Sequence, residues 1–274
     1  MNTGKGVIIS TWNISECVST QWDMQNGLDE PLFANQFEPL LEEIISRINE
    51  SKSDVVCFQE FPIVINNKYS LINEIKQKTN LKYCVTLDTC PSFLFYGGRI
   101  GIALFSRTRI LQTNFSFFKN PNFLKVSKNG AVYKSFDKGI IIAKLRINDI
   151  SFTVVTGHAI GFSPFDEVAE NYPESYKPLL DIVRELYLNN HKIVVVGDFN
   201  TELLFDILPE LSEYVIDKLE GRTTITGLME GNYYPNGRKL DYFLVSEGIN
   251  VKYIKKIDNF SDHLLCVAHC NFIY

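Results

Sequence analysis

The chain has 274 residues, 45% hydrophobic and 13% aromatic, with 20 Phe and 13 Tyr, a composition that excludes a disordered chain and suits one large domain or two small ones. Lysine and arginine number 27 against 32 acidic residues, a formal charge of −5. That excludes a molecule-wide basic field, so any phosphate or nucleic-acid site has to be a local concentration of positive charge.

The first predicted element is the strand GVIISTWN (6–13). Only Lys5 precedes its short apolar stretch, too little for a secretory leader, and no apolar run reaches membrane-spanning length. The chain therefore reads as a soluble, cytoplasmic protein without a transmembrane segment. The cysteines at 17, 57, 84, 90, 266 and 270 form no CxxC pair and no zinc spacing, and read as reduced, buried thiols. In that compartment the Asn-x-Ser matches at Asn13 and Asn259 carry no glycan.

Phe37, Leu40, Leu41, Ile44, Ile45 and Ile48 follow helical spacing, with Asn35 and Glu38 placed as a capping box and Pro39 in the first turn. Strands DVVCFQE (54–60), RIGIALFSR (99–107), GIIIAKLRI (139–147) and ISFTVVTGH (150–158) follow. Asn148-Asp149 reads as a two-residue hairpin turn, because both residues tolerate positive φ, and makes the last two strands antiparallel neighbours. A second helix covers 174–189 with Leu179, Ile182, Val183 and Leu186 on one face. KIVVVGDFN (192–200), LDYFLVS (240–246), VKYIKK (251–256) and LLCVAH (264–269) complete the strands. Helices alternating with strands, plus a hairpin, predict a mixed-sheet α/β architecture. With no repeat, low-complexity tract or linker, residues 1–274 read as a single domain.

Several of these apolar runs end on polar residues: Asn13 on the first, Gln59-Glu60 on the second, His158 on the fifth, Asp198 and Asn200 on the sixth. Asp241 opens a strand, and Ser261-Asp262-His263 immediately precedes another. Singly, each has an ordinary reading: Asn13 as a turn residue, Asp198 and Asn200 as an Asx turn, His158 as a hydrogen-bonded core histidine. Together they describe rigid strand ends presenting carboxylates, amides and imidazoles. If the strand at 192–200 stays extended, Asp198 and Asn200 point the same way.

TWN (11–13), QE (59–60), GGRIGIALFSR (97–107), TGH (156–158), GDFN (197–200), LDYFLVS (240–246) and SDH (261–263), in this order, resemble the endonuclease/exonuclease/phosphatase superfamily over residues 7–270. The resemblance implies a four-layer α/β sandwich of the deoxyribonuclease I-like kind, with two mixed β-sheets face to face, helices outside, and loop ends converging on a metal-binding cleft. It implies a phosphoric ester hydrolase that uses Mg²⁺, with Mn²⁺ able to substitute. Glu60 is then the principal metal ligand, supported by Asn13 and Asp262, and His158, Asp198, Asn200, Asp241 and His263 form the catalytic set. In that scheme Asp241 fixes the tautomer of His263, Asn200 orients phosphate or nucleophile, and His158 donates to phosphate and acts as general acid. The base stays open between Asp198 and His263.

Within the superfamily, abasic-site endonucleases carry Tyr where this chain has His158. Tyrosyl-DNA phosphodiesterase follows SDH with Trp where Leu264 stands, and the Trp-Cys-Asp-Arg run of the inositol phosphatases is absent. Residues 113–138 carry Lys119, Lys125, Lys128, Lys134 and Lys138 among Phe115, Phe117, Phe118, Phe123, Tyr133 and Phe136. That mixture suits a nucleic-acid strand, an anionic lipid surface, or an edge hairpin with solvated lysines. Arg99, and Arg222 with Tyr233-Tyr234, are candidate substrate contacts at the cleft rim. The expected substrate is a phosphodiester in a nucleic acid or nucleotide-containing molecule, as for a nuclease or tyrosyl-DNA phosphodiesterase. The alternatives are a lipid headgroup, as for a phosphoinositide phosphatase or sphingomyelinase, and a catalytically silent binding protein on the same fold.

Overall fold

The computed structural model describes residues 6–17, 38–65, 71–92, 94, 97–126, 130, 132–221, 223–229 and 232–273, and for 38–39, 226–229 and 232–236 the backbone alone. The proposed capping Asn35, together with Phe37, lies outside the described residues.

One six-stranded sheet contains β1 (Gly6–Asn13), β2 (Val55–Val64), β3 (Tyr83–Pro91), β4 (Arg99–Ser106), β15 (Ile249–Ile257) and β16 (Leu265–Phe272), in the order β15-β16-β1-β2-β4-β3. The other contains β5 (Ile110–Phe117), β8 (Gly139–Ile147), β9 (Ile150–His158), β10 (Ile193–Asp198), β11 (Ile216–Asp217) and β14 (Asp241–Val245), in the order β11-β14-β10-β9-β8-β5. Both are mixed: β1–β2 and β9–β10 are parallel and their other neighbours antiparallel. Two small hairpins, β6 (Leu124–Val126) with β7 (Val132–Lys134) and β12 (Ile225–Met229) with β13 (Asn232–Arg238), complete the strands. The longer helices are α1 (Glu38–Ser51), α2 (Leu71–Lys78) and α3 (Pro173–Leu188), and α4 (Leu204–Ile207) is a single turn.

Strand alternation sorts the apolar residues into three cores. Val7 and Ile9 of β1, Val55 and Cys57 of β2, Val154 of β9, Val194 and Val196 of β10, and Phe243 and Val245 of β14 meet between the sheets. Trp12, Val56 and Phe58 face outward to Leu41, Ile44, Ile45 and Ile48 of α1. Val155, Ile193, Val195 and Leu244 face the opposite way, to Leu179, Leu180 and Val183 of α3. The result is the expected four layers, helix on sheet on sheet on helix. Fully burying each such aliphatic side chain contributes about 1.5–3 kcal/mol. The Asn148-Asp149 turn is present, with φ of 52° and 65°, and sets β8 against β9 from Ile147↔Ile150 to Ile140↔Gly157.

All six cysteines are free, and Cys17, Cys57, Cys90, Cys266 and Cys270 are buried. Among the described residues no helix is long and apolar enough to cross a membrane.

Candidate active site

The stripes that fill the inter-sheet core continue into polar residues at one end of the sandwich. On β10, Val194 and Val196 are followed by Asp198; on β9, Val154 by Thr156 and His158; on β14, Val245 and Phe243 lead back to Asp241. Register sets these groups side by side, since Asp198 pairs with His158 on one flank and with Asp241 on the other. On the facing sheet Asn13 pairs with Gln59.

A β-bulge directs Glu60. Phe58 pairs with Ala103 and Phe61 with Gly101, so two residues of β2 oppose one of β4, and Glu60 takes φ 50°. Phe58 and Phe61 then both lie in the outer core. Gln59 and Glu60 are left to the inter-sheet side, the re-aiming for which bulges are used beside functional sites. Beneath the site, Thr11 Oγ1 donates to Gln59 Oε1 at 3.3 Å, and Gln59 Nε2 donates across the seam to Thr156 Oγ1 at 3.3 Å. Gly197, at φ 142°, faces Gly157, and a Cβ there would stand 2.0 Å from the Gly157 carbonyl oxygen. Glycine is required where these two backbones meet directly behind Asp198 and His158.

Asp198 is the hub. Its Oδ2 accepts from Asn13 Nδ2 at 3.0 Å and lies 3.7 Å from Nε2 of both His158 and His263. Its Oδ1 accepts from the backbone N–H of Asn200 at 2.9 Å. That bond is an Asx turn, so the extended reading of 192–200 fails: β10 ends at Asp198, Asn200 adopts φ 52°, and the Asn200 Nδ2 donates to the Ala159 carbonyl at 2.9 Å. Asn200 thus ties the segment after β9 to the hub instead of standing beside Asp198.

His263 Nδ1 donates to Asp241 Oδ2 at 2.8 Å. Its loop is held by Asn259, whose Oδ1 accepts from Trp12 Nε1 and the Ser261 N–H and whose Nδ2 donates to the Ile257 and His263 carbonyls. Ser261 Oγ donates its one proton to the Asn13 carbonyl at 2.8 Å and lies 3.2 Å from Asp262 Oδ1, which brings Asp262 to the site's edge. Thr224 Oγ1 accepts from the N–H groups of Leu240 and Asp241, fixing the start of β14.

The two histidines are held in opposite states. Burial, the Lys138 ammonium and His263 push His158 well below the ordinary histidine value. Burial also works against charge on His263, but Asp241, Asp198 and Asp262 outweigh it and hold that ring well above the ordinary value. Burial, aided by Asp241, raises Asp198 above the usual carboxylate range against the pull of His263, the Asn200 N–H and the Asn13 amide.

The oxygen donors at this end of the seam are of the type a hard divalent ion selects. Among the described residues no group of three or more His, Cys, Asp and Glu forms a ready cage. Magnesium does not require one, since it takes one or two carboxylates and keeps water or phosphate oxygens. Glu60 fits that demand: its half-buried carboxylate has no hydrogen-bond partner among the described residues, and its Oε1 lies 3.8 Å from His158 Nε2.

One proposed rim contact is engaged away from this cluster. Arg99 forks onto Asp88 of the neighbouring strand, Nε to both carboxylate oxygens at 3.0 and 2.9 Å on the exposed surface, so its guanidinium is matched within the sheet. Arg222 lies outside the described residues, as does Lys128. The basic, aromatic stretch 113–138 divides. Phe118 is buried and Phe123 packs on Phe162, Phe165 and Tyr172. Lys125 pairs with Asp166, whereas Phe115, Phe117 and Tyr133 stay exposed. Lys138 is buried with its Nζ 3.3 Å from His158 Nδ1, a site residue hidden among loop lysines. The hairpin turn already carried its signal, because the register runs as far as Ile140↔Gly157, and counting on from there brings the residues just before Ile140, Lys138 among them, toward His158.

The chain belongs to the Endonuclease/Exonuclease/phosphatase family, whose model matches residues 10–263, and it has the phosphoesterase fold of that superfamily. No curated protein sequence matches it significantly. Among solved structures it is similar to the human Nocturnin catalytic domain with bound sulfate (14% identity, TM-score 0.68, covering 97% of this chain and 93% of that one). It is also similar to a mannosyl-6-phosphatase of Bacteroides thetaiotaomicron (14%, 0.61, 97% and 100%). A third likeness is to ANGEL2, described as a 2′,3′-cyclic phosphatase, in complex with adenosine-2′,3′-vanadate (13%, 0.66, 100% and 97%). At these identities the likeness concerns the fold.

Proposed function

We propose that the protein is a divalent-metal-dependent phosphoesterase whose substrate is a phosphodiester in a nucleotide-containing molecule. The observation that carries this reading is the convergence of Asn13, Glu60, His158, Asp198 and the Asp241–His263 pair at one end of the inter-sheet seam. Each of these residues is hydrogen-bonded to, or within 3.8 Å of, at least one other of the set, which links them in a chain through Asp198, and Asp198 and Asp241 are in-register neighbours. Glu60, with Asn13 and Asp262, would hold Mg²⁺ or Mn²⁺, which when bound neutralises phosphate charge and favours ionisation of water.

The chain's own groups supply the rest. The 3.7 Å separations from Asp198 Oδ2 to the two Nε2 atoms are too long for direct hydrogen bonds, and a ligand oxygen would sit off these lines, to one side of the three atoms, where it could bond to each. A phosphate oxygen or attacking water placed there meets His158 and His263 from two sides. The proton released on attack passes to the Asp198–His263 pair, and Asp241 keeps the His263 ring aligned through Nδ1. The chain's net charge of −5 favours a short nucleotide substrate over a long duplex, and the exposed Phe115, Phe117 and Tyr133 offer stacking surfaces.

A lipid headgroup is the second reading, favoured by one observation: the β6–β7 hairpin exposes Leu124, Val126 and Val132 at 70%, 62% and 63%. Hydrolysis assays with Mg²⁺ or Mn²⁺ separate the two. Single- and double-stranded DNA, RNA, short cyclic oligonucleotides and headgroup lipids in vesicles serve as substrates, with Asp198→Asn as control. Turnover of an oligonucleotide, lost with a chelator and in the control, is the expected result. Equal rates for parent and Asp198→Asn would refute the site.

A further inference from the structure

We propose that Lys138 is a positioning residue that fixes His158 in one tautomer, with the bare nitrogen at Nδ1 and the proton at Nε2, so that His158 serves the phosphate as a neutral hydrogen-bond donor. The use of that donor rests on the phosphoesterase reading; the tautomer does not.

The argument begins with the donor and acceptor inventory. A lysine ammonium has three N–H donors and no acceptor. Its Nζ lies 3.3 Å from His158 Nδ1, and both side chains are buried. A hydrogen bond at that contact requires a lone pair on Nδ1. A doubly protonated ring, or one protonated only at Nδ1, would set two N–H donors against each other in a desolvated place. The neutral ring with its proton on Nε2 is the form the geometry accepts. Nε2 faces Glu60 Oε1 at 3.8 Å and Asp198 Oδ2 at 3.7 Å, the side where the substrate would lie.

Lys138 is built into place. It directly precedes β8, and its carbonyl accepts from the Phe118 N–H at 2.9 Å, anchoring the base of its stem. Among the described residues no carboxylate pairs with its ammonium, and the imidazole is its sole hydrogen-bond partner. Burying an ammonium without a counter-ion is costly. The position makes chemical sense when an anion is bound on the far side of the ring, one imidazole's width away. His263 is the contrast, for its Nδ1 meets the carboxylate of Asp241, which suits a ring that carries a proton there. One ring is backed by a cation and one by an anion, so the two have different work. His158 offers an N–H without surrendering its proton, and proton movement is left to the Asp198–His263 pair.

Nitrogen-15 NMR of the imidazoles in the folded, metal-free protein tests the tautomer. His158 is expected to show Nδ1 as a bare, pyridine-like nitrogen and Nε2 as a protonated, pyrrole-like one, and in Lys138→Met this bias is expected to disappear. Hydrolysis is expected to fall about 10- to 100-fold in Lys138→Met, in line with losses of groups that orient site residues. Lys138→Arg, which keeps the donors, should restore most of the rate. On a His158→Ala background Lys138→Met should have no further effect. A protonated Nδ1 in the parent would overturn the proposal whatever substrate is found. So would an equal rate loss from Lys138→Met with and without His158. If no phosphoester is hydrolysed, the NMR result still decides the tautomer while the functional reading fails separately.

Discussion

The two ends of the inter-sheet seam are made by the same strands and differ only in what those strands present. At one end Ile9, Val55, Val154, Val194 and Val245 interlock between the sheets. Four residues further along each of the same strands stand Asn13, Gln59, His158, Asp198 and Asp241. Backbone, register and burial are shared, so the fold itself does not require polar groups at the second end. Aliphatic residues there would extend the core, whereas the residues present must be matched by hydrogen bonds to offset desolvation. Most are, but Asp241 Oδ1 is buried without a partner among the described residues, and Glu60 and Asn200 hold left-handed backbone. Strain and incomplete pairing gathered at one end of an otherwise regular seam are what a preorganised site for a charged ligand requires.

The position between the two ends gives the largest effect. Gly197 separates Val196 from Asp198, and its missing Cβ is what lets β10 approach Gly157. Gly197→Ala is expected to destabilise the protein by more than about 4 kcal/mol and to lose folded material on expression, read by circular dichroism and a thermal melt. A folded, active Gly197→Ala would break the description of both ends. Next, His158→Ala and His263→Ala should each lower turnover about 10²- to 10⁴-fold with thermal stability within a few degrees of the parent. A near-normal rate in either removes that ring from the site. Val194→Ala should do the opposite: kcat stays at the parent value while stability falls by about 2 kcal/mol and Tm by about 5 °C. If Val194→Ala lowered the rate as much as the histidine changes, the division into a packing end and a chemical end would be wrong.

The smallest effect concerns the thiols of the apolar regions. Burial pushes Cys57, Cys84 and Cys270 up to about 12 from an ordinary 9.0. Between pH 9 and 12 the folded chain therefore keeps protons that the unfolded chain releases. The stability these neutral thiols contribute is fully present below pH 9 and is lost as pH rises toward 12. Urea melts of parent and Cys270→Ala across that window should show a shallower decline in the variant. Identical slopes would place the thiol in a wetter setting.

Much of this was legible in the sequence because the central strands are long apolar runs, and those runs end on the functional groups. Asn13, His158, Asp198 and Asp241 are the last or first residues of β1, β9, β10 and β14. What escaped was set by tertiary geometry. Strands β3 and β5 are half-exposed sheet edges whose sequences, YCVTLDTCP and ILQTNFSF, carry no continuous apolar run. The bulge at Glu60 is visible only once β4 is paired. Arg99 looked like a cleft cation because its match, Asp88, lies on one of those unread edge strands. Lys138 was obscured because strand alternation would have sent it outward with Ile140. Asn259, noticed only as a glycan acceptor, clamps the His263 loop through four hydrogen bonds.

The most direct measurement is anomalous diffraction from crystals soaked in Mn²⁺ with a non-hydrolysable nucleotide phosphodiester analogue. The account predicts a manganese peak at the Glu60 carboxylate and phosphorus density beside it, within reach of Asp198 and the two histidines. Manganese and phosphate seated elsewhere on the molecule, with only solvent at the polar end of the seam, would contradict it.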